Sequence, residues 1–324
     1  MKTVIVGAGM CGLVLARELW VCGHDVRVLE KSKGVGGRLA TRRTENGKFD
    51  HGAQFYLKSE SLDDLHQEWE SSNLSRIWHR FEESHGKSTE RFISANGMTD
   101  FAKYLLKSSR GDVPVLLQHK VVGIERQMER SQGETTGSWS IQIEGKENLS
   151  CELLILTAPL PQSLELLETS QIDFPVELKA AKYAKAIVVL LEGIRNYNSI
   201  LSENEYSENL SNEIFSLSNQ QSKGLNTKTA LTVVMSPSFS EIWFEKPEEI
   251  VIEQVIAALR RAVGDFDYDA LQVKKWRYSH LMTNPLPGMF CELPGNLFLV
   301  GDAFSGSSVG RTVASAKALL GYLA

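Results

Sequence analysis

The sequence predicts an α/β protein in which a parallel sheet flanked by helices is joined to a second sheet domain. Three observations predict it. Residues 2–6, Lys-Thr-Val-Ile-Val, form a short apolar strand that runs into a glycine-rich turn and a helical stretch reaching about Val21. Asp25 to Glu30 then returns as a second strand, completing a strand-helix-strand unit of minimal length. Further predominantly apolar runs lie at 151–157 and 297–301, as a sheet covered on both faces requires.

The remaining elements follow in order. The stretch 31–54, rich in Gly, Arg and Lys without a sustained period, is predicted as loop. Residues 60–83 read as a helical region with breaks, and a short helix is expected from about Met98 to Ser108. Strands are predicted at 113–126, 138–144 and 151–157, with the polar run 127–137 as a hairpin tip. Residues 183–193 and 229–235 are further strands. The polar stretch 195–228 between them is either a surface excursion or part of an antiparallel sheet. Pro247 to Val263 reads as a helix with Ile250, Val251, Val255, Ala258, Leu259 and Ala262 on one side. Residues 270–276 form another strand, and the final helix runs from about Val309 to Leu323.

A chain of 324 residues can fill two packed domains or one large core with an inserted layer. Its 42% apolar and 23% charged residues are those of an ordinary globular protein, so a core is affordable without special staples. The net charge of -5 argues against nucleic acid as a partner, while leaving room for a local basic patch. The longest apolar runs, such as 152–161, are strand-sized, so no membrane association is expected. A Lys ahead of apolar residues at the start resembles a signal peptide, but the glycine-rich turn interrupts it. Cys11, Cys22, Cys151 and Cys291 are too scattered for a redox pair or a zinc site and are expected as buried small hydrophobes in a reducing, cytoplasmic setting. Seven histidines show no metal-ligand spacing, so no metal is expected.

The turn after the first strand carries Gly7, Gly9 and Gly12, and the second strand ends in Glu30. Each has a task at a dinucleotide. Gly7 permits the tight turn, Gly9 lets the backbone approach a pyrophosphate, and Gly12 lets helix and sheet pack closely. The helix N-terminus offers unpaired N–H groups to the phosphates. Glu30 can accept from the adenosine ribose hydroxyls, and its charge disfavours a 2′-phosphate there.

A second glycine-rich run, Gly34-Val35-Gly36-Gly37-Arg38, follows directly after Glu30-Lys31-Ser32-Lys33. With the first fingerprint it resembles the glutathione-reductase-type FAD fold of amine oxidases, and most closely the renalase group. The resemblance continues through Asp50-His51-Gly52-Ala53-Gln54, Asn96-Gly97-Met98, Thr157-Ala158-Pro159, Trp276-Arg277-Tyr278 and the Gly301-Asp302 that follows the strand at 297–301. It implies a Rossmann-like FAD-binding domain of glutathione-reductase type with a second, mixed-sheet substrate domain. The first would comprise 1–55 with about 151–164 and 290–324. The second would comprise about 56–150 and 165–289, with some of the middle strands returning to the first.

The same resemblance implies non-covalent FAD, with Gly7, Gly9, Gly12, Glu30, Lys31, Gly36, Gly37, Arg38, Gln54, Val122, Gly301, Asp302 and Val309 among its contacts. Asp302 would touch the ribityl chain or a phosphate, and the helix from Val309 would aim its N-terminus at the flavin. The sequence departs from the family pattern at Gly310-Arg311-Thr312, where Arg311 could meet a phosphate or an acidic substrate. No nucleophilic triad is visible, and hydride transfer to a flavin needs none. His51, Gln54 and Tyr278 are the polar candidates for the substrate side, with Tyr56, Trp276 and His280 as further candidates for its wall. The activity implied is oxidation of a 2- or 6-dihydro isomer of NAD(P)H, a small-molecule hydride donor, with O2 as electron acceptor and H2O2 as product. A general FAD-dependent amine oxidase and a non-enzymatic FAD-binding sensor or scaffold are the alternatives.

Overall fold

The computed structural model describes residues 1–82, 88–131, 134–196 and 206–324. It opens with β1 (Lys2–Val6), α1 (Met10–Val21) and β2 (Asp25–Glu30), the predicted unit. The stretch 31–54 is not wholly loop, because β3 (Thr41–Arg43) and β4 (Lys48–Asp50) pair as a small hairpin. The expected helical region 60–83 yields α2 (Asp63–Ser71) and then β5 (Arg76–Glu82), which pairs with β6 (Ser88–Ile93). The reason is a change of period. Ile77 is exposed and Trp78 buried, the alternation of a strand rather than a helix face. After α3 (Thr99–Tyr104), the predicted strand 113–126 is split into β7 (Val115–Leu117) and β8 (Val121–Ser131) at Gln118, whose φ is 57°. β8 and β9 (Glu134–Ile143) run through most of the expected hairpin tip, of which residues 132–133 lie outside the described residues.

The chain continues through β10 (Leu149–Cys151), β11 (Leu153–Leu156), α4 (Leu160–Thr169), β12 (Tyr183–Glu192), β13 (Tyr206–Glu208), β14 (Ile214–Asn219) and β15 (Ala230–Met235). Then come α5 (Pro237–Trp243), α6 (Glu248–Val263), β16 (Ala270–Leu281), β17 (Phe290–Leu293), β18 (Leu297–Val300), α7 (Asp302–Ser305) and α8 (Val309–Leu323). The polar stretch 195–228 contributes β13 and β14 to a sheet, and its residues 197–205 lie outside the described ones.

The first sheet has the order β17-β18-β11-β1-β2-β7, parallel except for β17 at one edge. Alternate residues of β1 show why both faces are covered. Ile5 joins the core under α1 and α8, while Val4 joins Trp139 and Ile141 of the three-stranded sheet β8–β10 on the other face. β7 and the β8–β10 sheet thus belong with this layer, although 56–150 was expected mainly in the substrate domain. The second sheet, β13-β14-β15-β12-β16, is antiparallel throughout, which corrects the expectation of a mixed sheet. Its helices α5 and α6 sit on one face only, the side of Ile187, Val189 and Leu191. Ala186, Val188 and Leu190 face the opposite way and pack on Phe49 of β4. Phe49 is therefore the wedge that seats the second sheet on the loop region of the first. Cys11 and Cys151 are buried as expected, but Cys22 is exposed beyond α1 and Cys291 is half-buried in the edge strand.

Packing leaves no room at Gly12, where an added Cβ would lie 2.0 Å from the Gly7 carbonyl oxygen. Gly12→Ala is expected to cost about 2–4 kcal/mol of stability, because neither backbone can yield without opening the β1–α1 turn. Urea unfolding followed by circular dichroism checks this; an unchanged midpoint would contradict it.

Candidate active site

Two glycine loops meet at the carboxyl ends of the parallel strands, where open α/β sheets bind ligands. Gly7 has φ 113°, and Thr157 at the end of β11 donates its hydroxyl to the carbonyls of Val6 and Gly7 at 3.0 and 3.1 Å. The Gly36 N–H donates to the Ala8 carbonyl at 2.8 Å, and a Cβ on Gly37 would stand 3.4 Å from Gly9 Cα. The second loop therefore lies directly on the first. A Cβ on Gly9 would meet nothing within 4 Å, so this turn is open on its outer side, as a cradle for a phosphate needs. Glu30 is buried and accepts from the N–H groups of Ala8 at 2.9 Å and Ser32 at 2.8 Å, which fixes its carboxylate at the edge of the cradle. Lys31 reaches Gln162 at 3.3 Å on the surface. Val122 is exposed at the start of β8, just after the turn in which the His119 N–H donates to the Glu30 carbonyl. Glu30, Lys31 and Val122 thus gather on one side of the cradle.

Asp302 follows Gly301, which has φ 134° at the end of β18. Its carboxylate accepts from Arg38 at 2.6 Å, from the Tyr183 hydroxyl at 2.8 Å and from Ser307 at 2.8 Å. Arg38 also donates to the Ser279 carbonyl at 3.3 Å. Burial pushes the Asp302 carboxyl up, but the Arg38 charge and these hydrogen bonds outweigh it and hold the carboxyl below its ordinary value. The Asp302 side chain, expected at the cofactor, is therefore committed mainly to protein partners. Val309 begins α8, where Ser308 caps only the N–H of Arg311 with its side chain. The N–H groups of Val309 and Gly310 have no partner among the described residues and are the free donors of that helix end. Arg311 folds over Gly306, whose added Cβ would lie 2.9 Å from its Cδ, and has no ion-pair partner among the described residues.

The opposite wall comes from the 50–54 segment and β16. His51 stacks on Trp276 at 5.5 Å with 24° between the rings, and the Trp276 indole donates to the His51 carbonyl at 2.8 Å. Burial, then the charge of Lys274, pull the imidazole down to about 4 against Asp50, with Arg42 adding to the effect. His51 is neutral at physiological pH, and its buried Nδ1 has no hydrogen-bond partner among the described residues. Tyr278 lies where β16 bulges against β12, edge-on to Tyr183 at 5.9 Å, and its hydroxyl bonds to no described residue. His280 stacks on Phe215 at 6.2 Å, and burial, then Arg38, pull its pKa down.

Gln54 does not meet its expectation as a flavin or substrate contact. Its amide nitrogen donates to the carbonyls of Asp50 and Gly52 at 2.8 and 3.0 Å, and its oxygen accepts from Lys223 and Gln220, each at 3.0 Å. That exhausts both donors and both lone pairs. Tyr56 also leaves the wall. It is buried among Trp69, Phe92 and Phe101, with its hydroxyl on His66 and Ser75.

The residue that the sequence reading missed is Lys223. It is fully buried, and its three N–H donors match three acceptors: Asp50 Oδ2 at 3.2 Å, the Gln54 carbonyl at 2.7 Å and Gln54 Oε1 at 3.0 Å. Trp78 covers it from 4.8 Å. Burial pulls the ammonium's pKa down and Asp50 opposes that pull. The 219–226 loop of the second sheet thus holds the loop that carries His51. A lysine inside a polar stretch reads as a solvated charge, and only the buried Asp50 across the fold could have signalled otherwise.

Gly9, the free N–H groups of α8 and the His51–Trp276 wall fit a flavin dinucleotide lying from the Glu30 side of the cradle to the second sheet. No group of three His, Cys, Asp or Glu side chains among the described residues could hold a metal ion. No described helix is long and apolar enough to cross a membrane.

Family models match twice: an NAD(P)-binding Rossmann-like domain over residues 5–69, and a flavin containing amine oxidoreductase over residues 62–318. A flavin-dependent L-tryptophan oxidase from Lentzea aerocolonigenes is 50% identical over 46 residues, 14% of this chain and 10% of that relative. The match to such curated relatives thus spans about a tenth of their length. Among solved structures, wild-type putrescine oxidase bound to putrescine aligns with 99% of this chain and 98% of its own, with a TM-score of 0.71 and 14% identity. Cyclohexylamine oxidase from Brevibacterium oxydans IH-35A aligns over the same shares, with a TM-score of 0.68 and 14% identity.

Two outcomes follow from this geometry. Lys223→Met leaves Asp50 as a buried, unpaired carboxylate and is expected to cost about 3–5 kcal/mol, part of which returns when Asp50→Asn is added. Denaturant unfolding of the single and double variants measures both. The second concerns pH. The folded state keeps His51 neutral down to about 4, whereas an unfolded histidine takes a proton near pH 6.5. The unfolded chain then binds more protons between those values, so stability falls as pH drops through that window. His51→Gln should flatten this decline in denaturation series from pH 7 to 4.

Proposed function

The chain belongs to the flavin-containing amine oxidoreductases, and we propose that it is an FAD-dependent oxidase acting on 2- or 6-dihydro isomers of NAD(P)H. One hydride leaves the dihydronicotinamide ring, which becomes the aromatic nicotinamide. The two electrons, with protons from water, reduce O2 to H2O2. Bound FAD supplies the two-electron acceptor and the reaction with O2.

The observation that carries this reading is the neutral His51 imidazole stacked on Trp276, with the charges of Lys274 and Arg42 close enough to depress it. A flat, uncharged wall suits a planar, uncharged ring, which must lie parallel to the flavin with its reacting carbon about 3–3.5 Å away. The Tyr278 hydroxyl and the His51 Nδ1, neither of which bonds to a described residue, would take up the ring's carboxamide. The same wall is a poor host for an alkylammonium ion, which the nearby cations repel and which must lose a proton before it can be oxidised.

Amine oxidation is the second reading. It is favoured by the fold shared with putrescine oxidase and cyclohexylamine oxidase, and by the short match to an L-tryptophan oxidase. A non-enzymatic FAD-binding role is a third.

Anaerobic stopped-flow mixing of the FAD-loaded protein with each donor, read by flavin absorbance, separates the three. Fast bleaching is expected with 2- or 6-dihydro-NAD(P), and slow or no bleaching with ordinary 4-dihydro-NAD(P)H and simple amines. The fast phase should be flat from pH 6 to 9, since neither the dihydronicotinamide ring nor His51 ionises there. Saturable bleaching by an amine that accelerates with pH, with none by any dihydronicotinamide, would give the site to amine oxidation. Bleaching by no donor would favour the scaffold.

A further inference from the structure

β16 is the outer strand of the second sheet, and its pairing with β12 sets which side chains share a face. Trp276 stands opposite Ala186, and Lys274 opposite Val188. Both therefore lie on the face that packs on Phe49. In the β3–β4 hairpin Arg42 stands opposite Phe49, so it too is on the side turned toward that face. The His51 N–H donates to the Ala40 carbonyl at 3.0 Å, which sets His51 beside the base of the same strand. Two cations from different sheets are thus brought to the open edge of the His51–Trp276 wall. Arg42 is exposed, Lys274 is half-buried, and neither has an ion-pair partner among the described residues. Some exposed cations of the chain are ion-paired, as Arg195 and Lys228 are with Asp269 and Arg261 is with Glu213. The net charge is -5, so a general excess of cations does not account for the pair.

We propose that Arg42 and Lys274 form an anion subsite that holds a phosphate of the hydride donor at the mouth of the pocket walled by His51 and Trp276. This rests on the reading of the donor as a nicotinamide nucleotide and names which part of it the protein recognises. The guanidinium can make paired hydrogen bonds to phosphate oxygens, and the ammonium adds a point charge. The carboxylates of Asp302 and Glu30 are already engaged by protein donors and do not compete for the two cations.

The test compares two donors that differ only by a phosphate, 6-dihydronicotinamide mononucleotide and the corresponding riboside. For the FAD-loaded wild type, the concentration dependence of anaerobic flavin bleaching should show roughly tenfold tighter binding of the mononucleotide. In R42Q/K274Q the ratio between the donors should approach one, and in the charge-conserving R42K/K274R it should persist in large part. Raising the salt concentration should lower the wild-type ratio but leave that of R42Q/K274Q nearly fixed. A tenfold preference that survives in R42Q/K274Q, or no preference in the wild type, overturns the subsite. Should the wild type be bleached by neither donor, the reading of the reaction fails and the subsite is judged by calorimetric titration with inorganic pyrophosphate. Binding by the wild type that is lost in R42Q/K274Q then supports it, and binding that is equal in both, or absent from the wild type, overturns it.

Discussion

The Asp302 carboxylate is the point on which the two halves of the molecule turn. Five segments of the chain reach it or its partner: the second glycine loop through Arg38, the end of β18 through Asp302 itself, β12 through Tyr183, the turn before α8 through Ser307, and β16 through the Ser279 carbonyl. A carboxylate this deeply placed is tolerable only because every hydrogen bond it makes is to a donor held by another element. The consequence is positional. Arg38 cannot leave without unpairing Asp302, so the glycine loop that it terminates stays on top of Gly9. Tyr183 cannot turn without losing the same partner, so the second sheet keeps its angle to the first. The glycine-loop cradle and the sheet that carries Trp276 are held in register by this ion pair.

The Asp50–Lys223 pair does the same for the wall itself, but in a drier setting. Here a loop of the second sheet extends an ammonium group into the first and matches each of its hydrogens. Gln54 and Gln220 complete the network, so the side chains of Asp50 and Gln54 and the carbonyls of Asp50 and Gly52 are all engaged around His51. Such a pair adds little net stability against an apolar alternative. Its effect is to specify one loop conformation, and His51 inherits its orientation from that choice.

The parts legible in the sequence were those fixed by local physics. Gly7 and Gly12 had to serve a turn and a close packing whatever lay around them, and the structure gives each that place. The apolar runs of β11 and β18 could only be central strands, and α8 began and ended where its capping serine and its apolar period put it. What failed depended on partners far away in the chain. Gln54 reads as a free amide beside a glycine, and nothing local tells that Lys223 and Gln220 will consume it. Tyr56 reads as a wall residue because its neighbours in sequence are, while its ring turns into the aromatic core under α2 and α3. The mixed second sheet rests on the family resemblance, whereas every pairing among its described strands is antiparallel. α5 and α6 lie together on one face, and no strand crosses over in parallel.

The surroundings of His51 join these strands of argument. A histidine in that loop could have been a charged group paired with Asp50, its neighbour in sequence. Instead Asp50 is spent on Lys223, Thr41 and the Met98 N–H, which leaves little negative charge to stabilise an imidazolium. Burial against Trp276, Lys274 and Arg42 then all act in the same direction. The pair that fixes the loop therefore also fixes the protonation state of the residue the loop presents. Arg42 is exposed, Lys274 is half-buried, and neither has an ion-pair partner among the described residues, so both charges are left to act on that imidazole.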